Sequence, residues 1–154
     1  MPDKLIAVIL GCGKFAPSAM NIQLWHFTVV TKREVLAMID KEVKTVMVTE
    51  TDDYSRINSA NSAYDTFRTV PRAIIVSGMI AIKYGESDSA NAVENMAIEA
   101  HSLDLGGCYI ASFRCAFLGA NSEKLLKLLQ IPEGYEPYFA FAIGYPHIKP
   151  IILK

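Results

Sequence analysis

A chain of 154 residues with 15 Lys+Arg against 16 Asp+Glu carries a formal charge of -1 and shows no Lys/Arg cluster, so nucleic acid is excluded as an expected partner. Its three cysteines (Cys12, Cys108, Cys115) form no C-x-x-C pair and its three histidines (His26, His101, His147) sit at no ligand spacing. That excludes a disulfide framework and a metal site and points to a reducing cytoplasm. The length is that of one domain, 1–154, able to bury a core without staples.

In chain order, Lys4 followed by LIAVILGC has the look of a shortened secretory h-region, but Asp3 weakens its positive end and the apolar run is short for a signal peptide or a span. An amphipathic helix is expected instead, with Asp3 as N-cap and Leu5, Ile9 and Cys12 along one face. WHFTVVT, Trp25 to Thr31, is β-branched and aromatic and predicts a strand. Lys32 to Glu50 reads as helix, although VKTVMVT within it suits a strand by composition. Asp53 to Thr69, with apolar points at Ile57, Ala60, Ala63, Tyr64 and Phe67, predicts a surface helix. RAIIVSG, Arg72 to Gly78, predicts a buried strand.

The clearest helix is expected from Asp88, as cap, through Val93, Met96, Ala97, Ala100 and Leu103, ending near Gly106 and Gly107. Its alanines admit either a close neighbour, helix or partner chain, or ordinary packing on a sheet. Cys108 to Phe113 is extended or irregular, NSEKLLKLLQ is a helix capped at Asn121, and Tyr138 to Tyr145 alternates like a strand packed on one or both faces. The fold class that results is α+β, a mixed α/β sandwich. No Ser/His/Asp or paired-carboxylate constellation appears.

Three ordered segments carry a resemblance. APSAMNIQLWHFTVV resembles the A-P-S-x-x-N-x-Q-P-W-x-F segment of the FMN-dependent nitroreductase family; ENMAIEAHSLDLGGCYIASF resembles its N-M-x-L-A-A-x-x-L-G-L-G-S-C-W-I segment; IPEGYEPYFAFAIGYP resembles its closing P-x-G-y-x-P...iGyP. The resemblance implies a central mixed or antiparallel sheet flanked by helices, in a homodimer with the site at the subunit interface. It implies FMN as cofactor, NAD(P)H as co-substrate, and a small electron-poor aromatic substrate such as a nitroaromatic or quinone. Pro17, Ser18, Ala19, Asn21 and Gln23 would then line the flavin of the partner subunit, and Ile110, Ala111 and Ser112 its reactive edge. The chemistry suits those residues: an isoalloxazine ring needs an apolar slot with a few amides, and Asn21 and Gln23, alternating along an extended segment, supply paired donors and acceptors. The alternative is a non-catalytic or weakly flavin-binding dimer of the same fold.

The departures set further expectations. The family's arginine-rich R-R-S-x-R-x-F segment, whose cations hold the FMN phosphate, has no counterpart ahead of the first helix, Gln23-Leu24-Trp25 stands for Gln-Pro-Trp, and Asp104 and Gly107 stand where Gly and Ser are usual. Phosphate attraction would fall to Lys149, Lys154, backbone N–H groups or nothing, so FMN would be held weakly, even lost on purification, and within about 100-fold of riboflavin in affinity. Obligate dimerisation is expected from the 51% hydrophobic content. His26, Cys108 and Cys115 are read as structural residues.

Overall fold

The structure, a computed structural model, describes residues 1–147. Its elements are α1 (Asp3–Lys14), β1 (Trp25–Val30), α2 (Arg33–Met47), α3 (Asp53–Ala60), β2 (Arg72–Met79), α4 (Gly85–Ser102), β3 (Gly106–Ile110), α5 (Ser122–Leu128) and β4 (Tyr135–Gly144). The four strands form one sheet in the order β1-β2-β4-β3, and every neighbouring pair is antiparallel.

Both central strands are buried on both faces, so their apolar runs divide by parity. Ala73 and Ile75 of β2, with Ala140 and Ala142 of β4, face a layer built from Leu36, Ile39, Val43 and Met47 of α2, Phe113 and Leu125. Ile74, Val76, Phe139, Phe141 and Ile143 face α1 and α4, through Ile6, Ile9, Val93 and Met96. The 36, 39, 43, 47 spacing settles the strand-like VKTVMVT as the end of a helix, because that stripe is what covers the sheet. The small face of α4 is explained by α1: Ala92 and Ala100 are buried in the same cluster as Ile6 and Ile9.

Three boundaries differ from the expectations, and one cap residue sits where expected with its side chain spent elsewhere. Asp3 is the first helical residue rather than the cap, which is Pro2, and its carboxylate pairs with Arg72. Asp88 lies in the first turn of α4, whose cap is Tyr84. Asn121 does occupy the cap position of α5, but its side-chain amide donates to Glu42 Oε2 at 2.9 Å. Gly106 and Gly107 belong to β3; α4 ends at Ser102, and Asp104 at φ 57° turns the chain.

The helix expected over 53–69 stops at Ala60. Beyond it, Asn61 Oδ1 accepts from the Ala63 N–H at 2.9 Å and Asp65 accepts from Phe67 and Thr69 N–H at 2.8 and 3.0 Å. Such local bonds offer the backbone an alternative to the helix, and Tyr64 and Phe67 turn into the core.

Asp40 anchors this loop by accepting from Thr66 N–H at 2.8 Å and Thr66 Oγ1 at 2.7 Å while pairing with Lys44 at 2.9 Å. Burial pushes its carboxyl up, but these bonds outweigh burial and hold it below the usual aspartate value. A lowered folded-state value stabilises above the unfolded-state range and is lost as pH falls through it. Asp40→Ala is therefore expected to cost about 1.5–3 kcal/mol near neutrality, with the deficit shrinking under acid; urea unfolding at the two pH values checks this.

Candidate functional site

The loop joining α1 to β1 contains the first predicted segment. Ala19–Asn21 form a single 3-10 turn after an extended Ser18, and Met20, Asn21 and Gln23 all take left-handed backbone with φ of 53°, 55° and 58°. The expected extended alternation of the two amides is thus corrected to a tight coil. Non-glycine residues rarely hold this conformation, and three in four positions require outside support.

That support comes from α4. Asp88 Oδ1 accepts the Ala19 N–H at 3.0 Å, Asn91 Nδ2 donates to the Pro17 carbonyl at 3.1 Å, and Asn95 Nδ2 donates to the Cys12 carbonyl at 3.2 Å. Inside the loop, Ser18 Oγ accepts the Gln23 N–H at 3.1 Å. Asn21 and Gln23 are exposed, and their side-chain amides make no hydrogen bond among the described residues. The geometry presents two free amides on a strained, tethered loop, while the Ala19 N–H, counted among the site groups from sequence, is committed to Asp88.

The second predicted segment follows β3. Ile110 is buried, Ala111 exposed and Ser112 half-buried, and Ser112 opens a 3-10 stretch that runs to Phe117. The first turn of α4 bonds both the first segment, through Asp88 and the Ala19 N–H, and the stretch after the second, where Glu86 holds Arg114 at 3.1 Å. Arg114 also bonds Glu136 at 3.1 Å and stands 4.9 Å above the Tyr138 ring. Burial, reinforced by Glu136, raises the Tyr138 phenol to about 12, so it remains a neutral donor. No hydrogen bond among the described residues joins the two segments within one chain. Lys149 and Lys154 lie outside the described residues.

Sequence reasoning missed Asp88, Asn91 and Asn95 as tethers. Their spacing of three and four along one helix face was a readable signal. The Arg114 network had none, since Glu86, Arg114 and Glu136 are brought together only by tertiary structure. The residues read as structural are so placed: Cys108 and Cys115 pack on the α2 layer, and burial lifts the Cys115 thiol to about 11. His26 faces Tyr135, edge to face at 6.4 Å, and partial burial lowers its pKa.

The profile of the nitroreductase family matches residues 1–145. The chain belongs to the nitroreductase family. A relative of this member from Methanothermobacter thermautotrophicus, provisionally named an NADH dehydrogenase/NAD(P)H nitroreductase, is 29% identical over 154 residues, covering 97% of this chain and 70% of that protein. A crystal structure of a nitroreductase with bound FMN from Bacteroides fragilis superimposes with a TM-score of 0.90 at 27% identity, covering 100% of this chain and 82% of that one. A second, from Desulfitobacterium hafniense and also with bound FMN, gives 0.89 at 25%, covering 97% and 81%. The antiparallel sheet between helical layers is accordingly the nitroreductase fold. Among the described residues, no helix of this nitroreductase-family chain is long and apolar enough to cross a membrane.

Proposed function

We propose that the chain is an FMN-dependent oxidoreductase that draws on NAD(P)H and reduces small electron-poor aromatics such as nitroaromatics and quinones. The observation that carries the reading is the pair of free amides, Asn21 and Gln23, on a loop tethered to α4, in a chain matched to the nitroreductase family from residue 1 to residue 145. The donor set fits the ring: two planar amides suit the polar edge of an isoalloxazine, and Pro17 and Ile110 supply apolar surface. When bound, FMN supplies hydride acceptance and donation.

The protein's own part is to bind and orient. Pro17, Ser18, Ala19, Asn21 and Gln23 would line the ring bound by the partner subunit, and Ile110, Ala111 and Ser112 would form the surface at the reactive edge of the chain's own flavin. Asp88 and Asn91 keep the loop in its left-handed coil, so the amides are ordered before the ligand arrives. The test is spectroscopic. Protein purified with added FMN should show the flavin absorption bands and lose them on anaerobic addition of NADH or NADPH; bands that persist with both leave only the non-catalytic alternative.

The same reading places the site in a homodimer, since the two segments would serve different flavins. Support comes from apolar surface on the adjoining helices α1 and α4: Phe15 is 87% exposed, Ile98 62% and Val8 40%. Two helices packed on each other that both expose large apolar side chains offer the surface an interface would bury. Ile98→Glu is expected to convert the dimer to monomer in analytical ultracentrifugation, whereas Ile57→Glu, on the exposed side of α3, should leave it unchanged. Ala97, by contrast, is packed partly into the core and is a poorer probe.

A further inference from the structure

We propose that Arg114 is a positioning residue for the flavin reaction: it fastens the turn carrying Ala111 and Ser112 to the first turn of α4, and so sets the reacting edge without touching flavin or substrate. This rests on the function proposed above, which puts Ala111 and Ser112 at that edge.

Adjacent residues tie the turn to the two helical layers. Phe113 is buried among the α2 side chains, whereas Arg114 reaches Glu86 of α4 and Glu136 of β4, each at 3.1 Å. Among the described residues, the bond to Glu86 is the only side-chain hydrogen bond between the Ser112–Phe117 stretch and α4. The backbone of the same residue holds the reacting segment directly, because the Arg114 N–H donates to the Ala111 carbonyl at 3.0 Å. Main chain and side chain of one residue thus connect Ala111 to α4.

The anchor is rigid. Glu136 stands opposite Gly78 in the β2–β4 register, and Glu86 follows Gly85. At these two glycines β2 and α4 meet too closely for a Cβ: one added at Gly85 would lie 2.9 Å from the Met79 carbonyl oxygen. Exposed ion pairs contribute little singly. Here, however, one guanidinium is shared by two carboxylates and lies 4.9 Å over the Tyr138 ring, so its planar fork is fixed from three directions. Two carboxylates against one guanidinium also leave the cluster net negative, which argues against a role in binding phosphate. A reacting edge loses rate when its support slackens by about an ångström.

The variants are Arg114→Met, which keeps an apolar stem over Tyr138, Arg114→Lys, and Glu86→Gln, alone and combined with Arg114→Met. Anaerobic reduction of the FMN-loaded protein is followed against NADH or NADPH concentration, FMN and riboflavin are titrated into apoprotein, and hydrogen exchange of the Arg114 amide is read by NMR. Arg114→Met is expected to slow reduction about tenfold at saturation, with the half-saturating concentration unchanged and part of the rate recovered in Arg114→Lys. The double variant should be no slower than Arg114→Met, the Arg114-position amide should exchange faster in both, and the two flavins should keep their ratio of affinities. Glu86→Gln, which leaves the arginine and its packing in place, carries the same test should Arg114→Met fail to fold. A wild-type rate in the variants overturns the proposal. So does a loss that Arg114→Lys shows in full together with a lowered urea midpoint, the mark of a merely structural role. Selective loss of FMN over riboflavin overturns it too, by assigning Arg114 to the cofactor's phosphate. If neither nicotinamide reduces the wild-type protein, the proposed function falls instead; faster amide exchange in the variants then still upholds the tether, and unchanged exchange overturns it.

Discussion

Removing the Asn21 amide is expected to weaken flavin binding by about 1–3 kcal/mol, or roughly 5-fold to 150-fold in dissociation constant. The amide makes no bond among the described residues, so nothing internal competes for it, and a ring edge packed against it loses its partner outright. Asn21→Leu would mix two effects, because φ of 55° penalises leucine whatever the ligand does. Asn21→Gly separates them, since glycine takes the left-handed backbone freely and lacks only the amide. His26→Ala is the control: the imidazole packs on Tyr135, across the strand from Trp25, which faces the α1 and α4 layer. Fluorescence titration of FMN into the three proteins decides it, and equal affinities for Asn21→Gly and His26→Ala would remove the loop from the site.

The second large effect concerns stability. Gly78→Ala is expected to lower the unfolding free energy by about 2–3 kcal/mol, seen as a shifted urea midpoint at unchanged slope. At this position β2 runs against the start of α4, and a Cβ would meet the Gly85 carbonyl oxygen at 2.8 Å, Tyr138 at 2.8 Å and Ser89 Oγ at 3.0 Å. A carbonyl in the first turn of a helix cannot rotate aside as a side-chain end can. The helix must shift as a body, and with it the turn that holds Ala19 through Asp88 and Arg114 through Glu86. Flavin loading of this variant should fall together with its stability.

The strands were the most legible part of the sequence, because AIIV of β2 and FAFAI of β4 are apolar at every position, as strands lying between two layers must be, and no helix face demands that. The long helix was legible for the same reason in reverse: Val93, Met96 and Ala100 repeat at helical steps and all turn inward. Polar residues misled. Asp3, Asp88 and Asn121 have the composition of caps, but each was claimed by a distant partner that one-dimensional spacing does not reveal. Tyr64 and Phe67 extend a helical period by coincidence; Asp40, some 26 residues earlier, fixes Thr66 and breaks it. In the site, the segments were legible by resemblance, whereas the left-handed coil of Met20, Asn21 and Gln23 was not, since only asparagine among them advertises that conformation.

The strand order has a consequence for how the molecule is made. Among the described strands β4 comes last in the chain, yet it lies in the interior of the sheet, between β2 and β3. Until Tyr135 to Gly144 leave the ribosome, β1 and β2 form a two-stranded ribbon with one side of β2 open, and β3 has no partner to pair with. A two-stranded ribbon is marginal in water, so until β4 emerges the nascent chain carries an unpaired apolar edge. Closure waits on a single late insertion that zips both halves at once, which makes folding non-local and slow for a chain of this size.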